Sequence, residues 1–187
     1  TARRTEVIPA LTERLRLILV DLGMPNARFD VSLTDNASFL ENGKDQLHFL
    51  FTANKGMRAQ ELKKAASGGE LSRIMLAIKS VLSDYANLPT LIFDEIDTGV
   101  SGEVALKMGR IMKAMGSRMQ LLSITHLPQI AGQGSAHFKV YKEDKDHKTT
   151  TAIRELIKEE RVVELAEMLG GKATSESAFE HARQLLD

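Results

Sequence analysis

The chain has no cysteine and no tryptophan. The missing cysteine excludes a disulfide framework and a thiolate zinc site. No charge of one sign is in excess either: Lys+Arg and Asp+Glu are both 25, and the net charge is zero. A whole-domain nucleic-acid footprint shows as surplus base, so this balance leaves room only for a local basic patch. No apolar run approaches the roughly 20 residues of a membrane helix. No signal peptide is visible, and the expected location is the cytoplasm, with no membrane partner. The first residue is Thr rather than Met, which reads as a piece of a longer chain. Against these absences stand 187 residues, 43% of them hydrophobic. That is enough for one good core or one large lobe.

Over residues 3–22, Val7, Ile8, Leu11, Leu15, Ile18, Leu19 and Leu22 recur at gaps of three and four. The spacing predicts an amphipathic helix, stopped by Gly23 and Pro25. Phe29, Val31 and Leu33 alternate with polar residues, as do Leu47, Phe49 and Phe51. These read as an antiparallel strand pair joined through Asn42-Gly43. Residues 54–66 are polar and basic, with Lys55, Arg58, Lys63 and Lys64, and read as a loop with room for one short turn of helix. Ser67 and Glu70 form a capping-box pattern that opens a helix with Leu71, Ile74, Met75, Ile78, Val81 and Leu82 on its buried face. Strands are expected at 90–95 and around Leu121 to Thr125, with a helix over 102–116 between them. That order implies parallel pairing through crossovers. A final hairpin is expected around Asp144-Asp146, then helices near 160–169 and 174–187.

Leu91-Ile92-Phe93-Asp94-Glu95 is the most telling stretch. An apolar run that ends in two carboxylates is how a buried parallel strand delivers acids to the carboxyl edge of a sheet, where α/β folds bind ligands. Asp94 is placed to hold a Mg²⁺ shell, and Glu95 to polarise a water for attack on a phosphoryl group. Asp97 follows, so three acids crowd one edge, which is unfavourable without a cation or a proton. Ser67-Gly68-Gly69 opens a helix with exposed amides that favour a phosphate. Read alone, the same residues are an N-cap with a glycine turn. His126 follows a strand and, at the edge carrying Asp94 and Glu95, is a candidate γ-phosphate sensor; read alone, it is a structural histidine. The sequence holds no G-x-x-x-x-G-K-[ST] phosphate cradle: Gly171-Lys172 is followed by Ala173, and Gly43-Lys44 by Asp45.

Together these motifs resemble the ATP-binding-cassette (ABC) ATPases. Ala66 to Glu70 looks like their signature motif, with Ala where Leu is more common. Leu91 to Glu95 looks like Walker B, Ile96 to Gly99 like the D-loop, and Thr125-His126 like the switch histidine. The continuations Glu70-Leu71-Ser72-Arg73 and Ile124-Thr125-His126-Leu127-Pro128-Gln129-Ile130-Ala131 resemble the RecN family of bacterial DNA repair proteins, relatives of SMC (structural maintenance of chromosomes) and Rad50 proteins.

The resemblance implies the C-terminal lobe of an ABC-type ATPase head. The expected fold is α/β, with a mostly parallel sheet flanked by helices and an antiparallel strand pair near the N-terminus. Residues 1–22 would end a returning coiled-coil arm, and 23–187 would be the C-terminal half of the head. ATP and Mg²⁺ are the implied cofactors. Asp94 would support Mg²⁺, Glu95 would be the general base and His126 would contact the γ-phosphate. Ser67, Gly68, Gly69 and Glu70 would bind nucleotide held by another head, and Asp97 would couple the two sites. The implied partners are the N-terminal head lobe, a second head in an ATP-sandwiched homodimer, and DNA, as double-strand ends or single strands. The implied task is DNA double-strand-break repair and recombination, in the cytoplasm at the nucleoid. Without Walker A the isolated chain is expected to be inactive. The alternatives are a head lobe of another SMC- or Rad50-type ATPase, or a non-catalytic assembly lobe.

Overall fold

The computed structural model describes residues 1–56, 58–62, 67–145, 148–171 and 175–187. It resolves into two compact units: Thr1–Leu91 with Ile96–Val100, and Ile92–Glu95 with Ser101–Asp187.

The first unit opens with helix α1 (Ala2–Asp21), which the 3–4 spacing predicted. Leu15 and Leu19 on its C-terminal half and the C-cap Leu22 are buried. Strands β1 (Arg28–Leu40) and β2 (Gly43–Thr52) pair antiparallel. Their register sets Phe29 opposite Phe51, Val31 opposite Phe49 and Leu33 opposite Leu47. The alternation thus puts all six apolar side chains on one face. The Phe29 and Phe51 rings lie 5.2 Å apart, and Phe51 is fully buried. The stretch read as a loop contains a two-residue strand, β3 (Gln60–Glu61), added to β2. Its polar side chains are exposed, so no apolar alternation marks it. Lys63, Lys64 and Ala66 lie outside the described residues.

Helix α2 (Gly68–Leu82) buries Ile74, Leu76, Ala77 and Val81. Two arginines join it to α1. Arg73 donates from Nη1 to the Leu22 carbonyl at 3.1 Å, and Arg14 of α1 pairs with Asp84 just beyond the end of α2. The contact points run in opposite sense along the two helices, so α1 and α2 are antiparallel.

In the second unit, the end of β4 (Thr90–Asp94) and β5 (Gln120–Ile124) form the parallel pair, connected by α3 (Gly102–Gly116). Parallel neighbours need such a crossover. Ala105, Met108 and Met112 of α3 are buried. A four-residue helix α4 (Pro128–Ala131), which the sequence reading did not foresee, follows β5. Gly109 allows α3 to approach it: a Cβ there would stand 3.0 Å from the Gln129 carbonyl. The expected hairpin is present as β6 (Phe138–Lys145) and β7 (Lys148–Glu155). The hairpin tip, Asp146 and His147, is outside the described residues. Helices α5 (Lys158–Gly170) and α6 (Glu176–Leu186) close the unit around Leu165, Ala166, Ala178 and Ala182. The architecture is mixed α/β, with the antiparallel pair near the N-terminus and the parallel pair after it.

Candidate functional site

The residues singled out in the sequence fall into two groups, one in each unit. In the first unit, Ser67 is the extended N-cap of α2, with φ −67° and ψ 165°. Its amide donates to Glu70 Oε2 at 2.8 Å, and its hydroxyl donates to the same oxygen at 2.8 Å. The Glu70 carboxyl is thereby held below its ordinary pKa, first by the Ser67 amide and then by the hydroxyl. Glu70 is engaged in ordering the first turn of α2 itself. Ser67 and Gly68 are exposed.

The segment Asp97–Val100 belongs to this same unit. It is a turn in which the Val100 amide donates to the Asp97 carbonyl at 3.1 Å. Gly99 adopts φ +75°, the left-handed conformation that the third residue of a type II turn requires. Asp97 is 1% exposed and Val100 is buried.

In the second unit, Asp94 ends β4 and is exposed, as is Glu95 after it. Glu95 has φ +47° and is the only non-glycine residue with positive φ among those described. Side chains other than Gly, Asn and Asp rarely accept this conformation, which costs of order 1–3 kcal/mol. The Glu95 amide still donates to the Ile124 carbonyl at 3.1 Å. One ladder bond to β5 therefore continues past the strand while the chain turns away. At the end of β5, the Thr125 hydroxyl accepts from the Leu127 amide at 3.0 Å. That bond turns the chain after the strand, with exposed His126 between the two residues it joins.

Of the three acids close together in the sequence, Asp94 and Glu95 belong to the second unit and Asp97 to the first. Among the described residues no group of three His, Asp or Glu side chains could hold a metal.

No protein-family model matches the chain. Whole-chain relatives are nonetheless clear. The chain is 43% identical over 188 residues to the DNA repair protein RecN of Haemophilus influenzae, a match that covers 100% of this chain and 34% of that protein. The chain belongs to the RecN family. RecN of Deinococcus radiodurans is 40% identical to 99% of this chain, and RecN of Halalkalibacterium halodurans is 39% identical to 98% of it. The match is to the C-terminal part of these proteins, and this RecN-family chain spans about a third of their length.

Solved structures agree on the fold. An SMC ATPase from a study of ATP-driven dimerisation and DNA-stimulated activation superposes with a TM-score of 0.52 at 17% identity, over 87% of this chain and 94% of that one. A Smc head with an extended coiled coil, bound to the C-terminal domain of ScpA from Pyrococcus furiosus, gives 0.59 at 19% identity, over 86% of this chain and 38% of that one. The RecN-family chain therefore has the fold of part of an SMC head.

The sequence could not show that Glu95 is left-handed, because glutamate has no preference for that region. The bond from the Ser67 amide to Glu70 is the one the capping-box spacing predicts; the second bond, from the Ser67 hydroxyl to the same oxygen, is not part of that pattern.

Proposed function

We propose that the chain is the C-terminal head lobe of a RecN-type ATPase. In this reading, ATP-dependent closure of two heads and ATP hydrolysis serve DNA double-strand-break repair and recombination at the nucleoid. The observation that carries it is the likeness to RecN proteins along the whole chain; the order of stretches in this sequence that resemble the signature, Walker B, D-loop and switch-histidine motifs supports it. Residues 1–22 would end a coiled-coil arm, and 23–187 would be the C-terminal half of the head.

Glu95 is the general base in this reading, presented by its own backbone turn and tied to β5 through the Ile124 carbonyl. His126 contacts the γ-phosphate. Ser67, Gly68, Gly69 and Glu70 serve nucleotide held by a second head, and Asp97 couples the two sites. Asp94 fits Mg²⁺ as one carboxylate of a shell completed by phosphate and water, the usual manner for this ion at a nucleotide. The protein's part is positioning and charge neutralisation.

The rest of the head is the expected partner. The β4–β5 pair leaves Ile92 61%, Leu122 44% and Ile124 56% exposed. Parallel sheets are covered on both faces in finished folds. These three side chains are the face on which the N-terminal lobe, with its Walker A, would pack.

The test is reconstitution. Alone, this chain should not hydrolyse ATP. Joined to the N-terminal part of its own protein, it should show Mg²⁺-dependent turnover. There Glu95→Gln should stop hydrolysis and spare nucleotide binding. Turnover by the isolated chain, abolished by Glu95→Gln, would sink the half-site reading and favour a self-sufficient site. Unchanged turnover in the joined Glu95→Gln protein would remove Glu95 as the base.

A further inference from the structure

The two glycines of Ser67-Gly68-Gly69 are not equivalent. A Cβ built on Gly68 meets nothing within 4 Å, so that position faces open space. A Cβ built on Gly69 would stand 3.0 Å from the Thr98 carbonyl oxygen. That is closer than an ordinary van der Waals contact, and the obstacle is backbone, which cannot rotate aside as a side chain can. Neither glycine has positive φ. Glycine at 69 is therefore favoured by proximity, since an added Cβ would need the Thr98 carbonyl to give by a few tenths of an ångström, and not by backbone conformation.

The carbonyl it admits belongs to a well-fixed turn. The Val100 amide closes the turn onto the Asp97 carbonyl at 3.1 Å. Buried Asp97 and Val100 anchor both ends, and Gly99 supplies the positive φ between them. The other side of the contact is fixed as well. The Gly69 carbonyl accepts from Arg73 Nε at 3.2 Å, and Arg73 Nη1 reaches the Leu22 carbonyl at 3.1 Å. A hydrogen-bonded turn thus rests against the hydrogen-bonded first turn of α2, at a distance where an added Cβ would have to push the Thr98 carbonyl back.

We infer that Gly69 is a positioning residue for the turn 97–100: its missing side chain is the seat on which the Thr98 carbonyl rests, so that the signature turn and the Asp97 turn are carried as one body. The functional weight of this rests on the reading given above, in which both segments face a second head. The seat then fixes the spacing at which Ser67-Gly68 and Asp97 are presented together.

The first test needs no nucleotide. Backbone amide NMR shifts of Asp97 to Val100 should move in Gly69→Ala and stay in place in Gly68→Ala. Alanine is the better helix former at both positions, so a purely conformational role predicts the same behaviour from both. Equal shifts at 97–100 in the two variants, or none in Gly69→Ala, overturn the seat. If Gly69→Ala does not fold, adding Thr98→Gly frees the turn's backbone to swing its carbonyl away and should restore folding; failure to do so also overturns it.

The second test uses the full-length protein. Gly69→Ala and Asp97→Ala should each lower kcat about tenfold or more and leave the KM for ATP near the parent value. The double variant should be no worse than Asp97→Ala alone, because both changes act on one element. Additive losses overturn the positioning role and make Gly69 an independent contact. If Gly69→Ala moves the 97–100 amides while neither single change alters turnover, the seat stands and the coupling role assigned to Asp97 is what has failed.

Discussion

At the scale of single residues, Ser67 and Glu70 lend themselves to a direct test. Ser67 offers its amide and its hydroxyl to one carboxylate oxygen, both at 2.8 Å. Glu70→Gln keeps an acceptor there but removes the charge, and should cost at most about 1 kcal/mol, because Glu70 is partly solvated. For a chain of this size that is a loss of about 2–4 °C in Tm. The pH dependence has a definite sign. The folded-state pKa of Glu70 is lowered, so its contribution is present above the unfolded value of about 4.5 and is lost as pH falls through the folded value. The difference in Tm between parent and Glu70→Gln should therefore be full at pH 7 and shrink below pH 4.5; a difference that grows on acidification would contradict the assignment. Glu95 gives the opposite expectation. With φ +47°, Glu95→Gly relieves strain of about 1 kcal/mol and should raise Tm by about 2–4 °C, while in the full-length protein it removes the proposed base. Melting and turnover on the same variant would show stability and activity parting at one position. A Tm unchanged or lowered by glycine would mean that the Glu95 side chain makes good the cost.

Among the elements, the joint between α1 and α2 is held by two arginines. Arg14 and Leu22 lie eight residues apart on α1, about 12 Å along a helix, and they meet opposite ends of α2 through Asp84 and Arg73. Arg73→Met keeps the aliphatic stem but leaves the Leu22 carbonyl without the guanidinium. It should destabilise the chain by about 1–2 kcal/mol in urea unfolding. Arg14→Met, whose partner pair is more exposed, should cost less. The sequence revealed the elements well where periodicity and chemistry agreed: α1, the β1–β2 pair, α2 after its capping box, the β4–α3–β5 crossover and the final hairpin. It failed where neither spoke. The strand β3 is two polar residues held by main-chain bonds to β2. The helix α4 is too short for a periodic stripe, although Pro128 at its first turn was a usable sign. For the candidate site, the motif residues were visible as residue types in order. The Gly69–Thr98 contact was not, because a close approach of two backbones leaves only a glycine in the sequence, and glycines have many reasons.

For the whole molecule, the exposed sheet faces decide what the chain needs. Ile92, Leu122 and Ile124 on the parallel pair are open, and so are Phe138, Val140 and Ile153 on one face of the β6–β7 hairpin. On that hairpin Val140 and Ile153 are directly paired, so the patch is continuous. When the N-terminal part of the protein is supplied, amide hydrogen exchange in β4 and β5 should slow by orders of magnitude, since strands packed on both faces open only with the whole domain. Exchange that stays fast along β4 and β5 in a complex that hydrolyses ATP would show that the lobes meet elsewhere. Ile124→Ser should weaken that assembly and leave the melting of the isolated chain nearly unchanged, because the side chain is already 56% exposed there.

The bare parallel pair also carries a lesson about gene arrangement. Two lobes that met as separate polypeptides would each have to be made in matched amounts, and any surplus of this one would present its apolar strands to other chains. On a single polypeptide the ratio is one to one by construction. The effective concentration of one lobe around the other, at best millimolar for a short flexible linker, is then set by the intervening arm. In the reading proposed above, a long arm that folds back on itself would bring the lobes together only once it has folded. Joining the two lobes by a short flexible tether in place of the arm should therefore raise the yield of soluble head, and at equal expression the separately encoded lobes should show this one as the insoluble partner whenever the other runs short.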